Sequence, residues 1–161
     1  MSVIIKTAKE IELIREGGKR LARVLVETAK MVKPGISTFE LDQYAYKLIT
    51  EMGDIPAFLN YKPEGAPSAF PATICISVNN EIVHGIPSKK KILKEGDIVS
   101  LDLGIKHKGL FTDHAITVPV GKISKKDQQL LEKTKNIFSR YHKSHLFEKI
   151  EWLEADILDI P

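Results

Sequence analysis

The chain has 161 residues, 43% of them hydrophobic and 28% charged, the composition of an ordinary globular chain long enough for one domain with a real core. Lysine and arginine number 24 against 21 aspartate and glutamate, too small a surplus to indicate direct nucleic-acid binding. The single cysteine, Cys75, excludes an intrachain disulfide, no apolar stretch approaches a membrane span, and MSVIIKTAKE lacks a signal peptide's long apolar segment, so the expectation is a cytoplasmic protein with no membrane partner.

Thr7 and Glu10 have the spacing of a capping box, and Ile11, Ile14, Gly18, Leu21, Leu25 and Thr28 then recur at helical intervals, which predicts a helix to about Met31. Pro34-Gly35 ends it. Ser37 and Glu40 repeat the capping spacing, and Leu41, Ala45, Leu48 and Met52 carry a second helix to Gly53, a natural residue just past a helix end. The segment 55–71, IPAFLNYKPEGAPSAFP, is rich in proline and glycine and reads as a loop. Its aromatics Phe58, Tyr61 and Phe70 either anchor it to the core or line a pocket.

TICISV, residues 73–78, alternates as a strand, and EIVHGIP, residues 81–87, follows Asn79-Asn80. Two residues tolerant of positive φ suit a tight hairpin turn, and a turn there sets Cys75 opposite His84. The basic run KKKILK, Lys89 to Lys94, reads as a solvated loop. A second hairpin then follows in SLDLGIKHKGLFTDHAITV, and from Ser124 onward the chain reads as helical, with His142 and His145 on a solvated, charged stretch. The order helix, helix, hairpin, hairpin, helix predicts an α+β domain with helices on one face of an antiparallel sheet.

The second hairpin carries two acids. With His107-Lys108 as its turn, Asp102 lies opposite Asp113, while Gly109 as a bulge shifts the register by one. Ser100, Asp102, Gly104, Asp113, Ala115 and Thr117 share one face, and Val99, Leu101, Leu103, Ile105, Ile116 and Val118 the other. A half-exposed hairpin with two acids on its polar face is one reading. The other is a cation between them, because like charges across a ladder repel. Paired carboxylates can hold two divalent ions about 3.5–4 Å apart, and oxygen ligands with an imidazole suit manganese, iron, cobalt or zinc. His84 alone is a weak signal. Beside Asn79, Asn80 and Gly85 it is stronger, since a small following residue permits close approach by a ligand.

ICISVNNEIVHGIP, LKEGDIVSLDLG and FTDHAITV, with VKPGIST before them, resemble methionine aminopeptidase of the bacterial type I kind, in the M24 peptidase family, from about Ile4 to Leu131. The resemblance implies the first half of a pita-bread fold, an internally pseudo-symmetric α+β structure. It implies removal of the initiator methionine from nascent proteins whose second residue is small, by a centre with two divalent metal ions (cobalt, manganese, iron or zinc). On it, Asp102 and Asp113 are metal ligands, His84 is a catalytic and substrate-contacting residue, and Phe58, Tyr61, Phe70 and Cys75 form the substrate's apolar pocket. The implied partners are nascent peptide N-termini and the ribosome that presents them. The preceding signature and the lack of a large N-terminal domain speak against a proline-specific peptidase of the same fold.

Departures from the family pattern shape the rest of the expectation. The loop KPEGAPSA, Lys62 to Ala69, looks longer than in the simplest members. The family's further histidines and glutamates, in a GHGIG-like segment and later, have no counterpart, and neither a second KPG nor an IEP occurs. Residues 1–137 therefore read as the aminopeptidase-like half and 138–161 as an atypical helical tail, a truncated or frameshifted second half. The full enzyme is expected to be a monomer, and this half is expected to be weakly active and to self-associate. The alternative is a non-catalytic half-protein that binds peptide N-termini, the ribosome or a complementary chain.

Overall fold

The computed structural model describes residues 5–143. Helix α1 spans Ala8–Lys30 and α2 Thr38–Glu51, each opened by the expected capping box, Thr7 with Glu10 and Ser37 with Glu40. Strands β1 (Ile55–Pro56), β2 (Ile74–Val78), β3 (Ile98–His107) and β4 (Leu110–Pro119) form one antiparallel sheet, followed by α3 (Lys125–Lys143). The chain is thus α+β, as expected. His142 lies within α3; His145 and the rest of the expected tail beyond Lys143 lie outside the described residues.

Strand β3 organises the sheet. Along one edge it pairs with β4 over its whole length; along the other it pairs first with β2 and then with β1. Val99, Leu101, Leu103 and Ile105 on its inner face have no solvent exposure and pack with Leu21, Val24 and Leu25 of α1 and Leu41, Ala45 and Ile49 of α2. The glycine of α1 that faces the sheet is Gly17, not Gly18 as the spacing suggested. A Cβ at Gly17 would lie 3.3 Å from His107 Cβ, whereas one at Gly18 would meet nothing within 4 Å. The glycine on the sheet side is what lets the helix lie close to the β3–β4 hairpin.

Three expectations need correction. Residues 81–87 form no strand, so Cys75 does not pair with His84. Its ladder partner is Asp102. Asn79 does turn the chain (φ 55°), but its side chain bonds Asp97 and the Ile98 amide, tying β2 to β3 instead of starting a hairpin. Second, the turn between β3 and β4 is Lys108-Gly109, with φ of 48° and 89°, so Asp102 stands opposite Ala115 and Asp113 opposite Gly104. Two successive positive φ values give the tight turn whose twist matches that of the strands, and glycine suits the second position. The offset is even, so the face assignments hold. Third, the KKKILK loop is not simply solvated. Leu93 is 1% exposed, and its backbone bonds reach Gly35 and Ile36.

Two buried acids that the sequence patterning passed over fix the layers. Asp42 of α2 accepts from the amides of Thr73 (2.7 Å) and Ile74 (3.3 Å), anchoring the start of β2. Asp54 bonds His107 Nδ1 (2.7 Å) and takes Arg20 Nη1 of α1 at 3.4 Å. His107, expected in the turn, is the buried end of β3. Asp42→Ala would strand two amides beside the core, and an unsatisfied buried donor costs about 1–3 kcal/mol. The variant is expected to unfold at lower urea with an unchanged slope, and an unchanged midpoint would show that water replaces the carboxylate.

Candidate active site

The aromatic loop leaves the sheet at β1 and rejoins it at β2, two neighbouring points on the β3 edge. Ala57 N–H donates to Gly104 O at 2.9 Å on the way out. Phe58 and Phe70 meet edge to face, ring centroids 6.4 Å apart. Between this loop and the small-residue face of the hairpin lies a cavity of about 490 Å³. Its boundary brings together all seven residues singled out from the sequence: Asp102 and Asp113 from the strands, Cys75 from β2, His84, and Phe58, Tyr61 and Phe70 of the loop. It also includes Pro63, Ser68, Ala69, Pro71 and Ile86, none of them expected. Prolines and small residues threaded between aromatics were the available signal for this wall.

Glycines set the clearances. A Cβ at Gly104 would sit 2.9 Å from Phe58 Cε1 and 3.1 Å from Ala57 Cβ, so its absence lets the ring lie against the hairpin. Gly85 is more demanding, since a Cβ there would approach Ile76 O to 2.1 Å. Ile76 N–H donates to Gly85 O (2.8 Å) and Gly85 N–H to Ser77 Oγ (3.1 Å). These bonds hold the neighbouring His84 in the left-handed region, φ 56°, an uncommon conformation for a residue with a side chain.

The electrostatics follow from this packing. Diagonal neighbours on an antiparallel ladder lie about 7–8 Å apart, and Asp102 and Asp113 are such neighbours on one face. Burial raises the pKa of both; the charge of Asp113 raises Asp102 further, and His84 pulls it partly back. Burial, then the two aspartates, pushes the Cys75 thiol up to about 12, so it presents a neutral wall at pH 7. His114, beside Asp113, is pushed down by burial and partly restored by that aspartate. A face where two carboxyl groups are both held toward the neutral form suits a cation. Among the described residues, no three His, Cys, Asp or Glu side chains cluster closely enough to hold a metal ion. The pair therefore fits a divalent ion in kind and supplies part of a ligand set.

The chain belongs to metallopeptidase family M24, whose sequence model matches residues 12–156. It is similar to the methionine aminopeptidase of Aquifex aeolicus, 47% identical over 135 residues that make up 84% of this chain and 52% of that protein. Methionine aminopeptidase 1 of Bacillus subtilis is also 47% identical, over 132 residues, 82% of this chain and 50% of the relative. The crystal structure of methionine aminopeptidase from Thermotoga maritima superposes with a TM-score of 0.82 at 33% identity, covering 89% of this chain and 55% of that one. The chain thus spans about half the length of the curated relatives it matches, and its sheet and helices are the corresponding part of the pita-bread fold.

Raised native pKa values mean that the fold binds protons more tightly than the unfolded chain. Stability contributed by the pair is full below the ordinary carboxylate range and is lost as pH rises through the raised native values. Asp113→Asn is therefore expected to raise the metal-free melting temperature at pH 7 slightly, the effect being screened at an exposed carboxylate. The difference should disappear in acid below the ordinary carboxylate range. Calorimetry that finds the variant less stable at pH 7 would show that the pair is not repulsive.

Proposed function

We propose that this chain provides the substrate pocket and two metal ligands of a metal-dependent aminopeptidase that removes initiator methionine from proteins with a small second residue. The observation that carries the reading is one cavity with two carboxylates, the partly buried Asp102 and the exposed Asp113, beside an apolar wall of Phe58, Phe70 and Ile86. An unbranched thioether side chain fits such a wall, and thioether–aromatic contacts are favourable. Neutral Cys75 adds apolar surface without competing as a ligand.

Asp102 and Asp113 would hold the divalent ions, of cobalt, manganese, iron or zinc, whose chemistry when bound is Lewis-acid polarisation of the scissile carbonyl. His84 lines the same cavity and would donate a hydrogen bond to the substrate's peptide group. Phe58, Tyr61 and Phe70 orient the first residue and exclude water from its side chain. The natural substrates would be nascent peptide N-termini at the ribosome in the cytoplasm; no described helix is long and apolar enough to cross a membrane. Exposed Phe111 and Ile82, with the unpaired outer edge of β4 among the described residues, favour self-association of this chain.

A second reading, a half that binds peptide N-termini without cleaving them, is favoured by the two-carboxylate donor set, since catalytic sites typically use three protein ligands. Manganous ion should bind the full chain weakly by titration calorimetry, and Asp102→Ala with Asp113→Ala should abolish it. Met-Ala-Ser turnover by the manganese-loaded chain should fall about 10²–10⁴-fold short of an ordinary enzyme, the typical contribution of a missing proton-transfer group. Tight metal binding that survives the double substitution would overturn the ligand assignment. Binding of Met-Ala-Ser with no product at any metal concentration would favour the second reading.

A further inference from the structure

The loop at Lys62–Ala69 is absorbed neither by the sheet nor by the core, yet it reaches the cavity. Its base is closed by two backbone bonds of 2.9 Å, Asn60 N–H to Phe70 O and Phe70 N–H to Tyr61 O. Asn60 at φ 65° starts it. At its tip Ala66 N–H donates to Pro63 O (3.1 Å), with Gly65 at φ 80°, the turn in which the third residue must take positive φ. The loop is therefore a small hairpin flap with a defined base and tip. One side faces solvent, with Glu64 and Pro67 exposed. From the other, Pro63, Ser68 and Ala69 contribute wall to the cavity whose far side holds Cys75, Asp102 and Asp113.

The geometry points to this flap as a specificity element: we propose that Pro63, Ser68 and Ala69 form the outer wall of the pocket and limit the size of the first side chain it accepts. The inference rests on the reading that the cavity takes an N-terminal residue, and it adds which segment measures that residue. The flap residues facing the cavity are small or ring-constrained. They close space without entering it, and a wall built from Pro63 and Ala69 can neither rotate away nor collapse inward as a long side chain could. An unbranched apolar side chain lies between this wall and the Phe58–Phe70 pair. A bulkier ring would meet Ala69, and a methyl side chain would leave the wall uncovered.

Two variants of the full chain test this. In one, Lys62–Ala69 is replaced by Asn-Gly, which keeps the Tyr61–Phe70 closure and suits a two-residue turn; in the other, Ala69→Leu fills the cavity with the loop intact. The probes are the tripeptides Met-Ala-Ser, Phe-Ala-Ser and Ala-Ala-Ser, with binding measured by calorimetry without added metal and folding checked by circular dichroism. The intact chain should prefer Met-Ala-Ser to both others. The shortened flap should weaken Met-Ala-Ser about tenfold, the loss expected from a few tens of Å² of uncovered apolar surface, and should bind Phe-Ala-Ser at least as well. Ala69→Leu should abolish Met-Ala-Ser binding and spare Ala-Ala-Ser. If the intact chain does not distinguish the three peptides, the pocket reading itself fails. If it does and both folded variants keep the same preference, the flap is not the gauge and this inference alone is overturned.

Discussion

The double-sided pairing of β3 is the constraint on which the rest of the structure depends. One strand is hydrogen-bonded along both edges, which fixes its direction and register and therefore which side chains face which way. Val99, Leu101, Leu103 and Ile105 take the helices, and the alternate positions Ser100, Asp102 and Gly104 face the other way, where Asp102 lines the cavity. Because the side-chain period is two, a slip of one residue would exchange these sets and send an aspartate into the core. The turn at Lys108-Gly109, the Asp54–His107 bond at the far end of β3 and the Asn79 clasp on Asp97 and Ile98 all resist that slip.

What could be read from the sequence was whatever is local. Both capping boxes, both helix ends and the two-faced patterning of the β3–β4 hairpin depend on neighbours within a turn or a strand, and they stand as expected. That the seven candidate residues line one cavity follows from a strand face being a parity and from the loop aromatics having few other uses. The failures are all long-range. Asn79-Asn80 looks like a hairpin turn until Asp97, 18 residues away, takes the asparagine side chain. His107 looks like a turn residue because its partner Asp54 is distant in sequence, and Lys108-Gly109 turns the chain equally well. Gly17 and Gly18 are indistinguishable until the sheet lies on one of them. Asp42 gave no signal at all, since a helix acid that caps another segment's amides looks like any surface acid.

The cavity shows how stability and site chemistry are set against each other in this half-domain. Two carboxyl groups on one half-buried face, a histidine in a left-handed conformation and a glycine whose neighbour leaves no room for a methyl are each unfavourable or restrictive alone. They are held together by a strand with no exposed inner side chain and by helices with complete N-terminal caps. Regular, well-packed elements supply the stability that the irregular ones give up.

The way β1 and β2 share a single edge has a consequence for how this architecture changes over time. The chain departs at Gly104 and returns at Leu103, so everything between hangs from adjacent points on a strand that is already complete. Lengthening such a segment disturbs no ladder bond, and its entropic cost grows slowly, by about 0.6 kcal/mol for each doubling of a flexible loop. The segment is in effect an interchangeable cartridge. Substitutions, insertions and deletions there can reshape the wall above a fixed pair of aspartates while the scaffold that fixes them stays untouched.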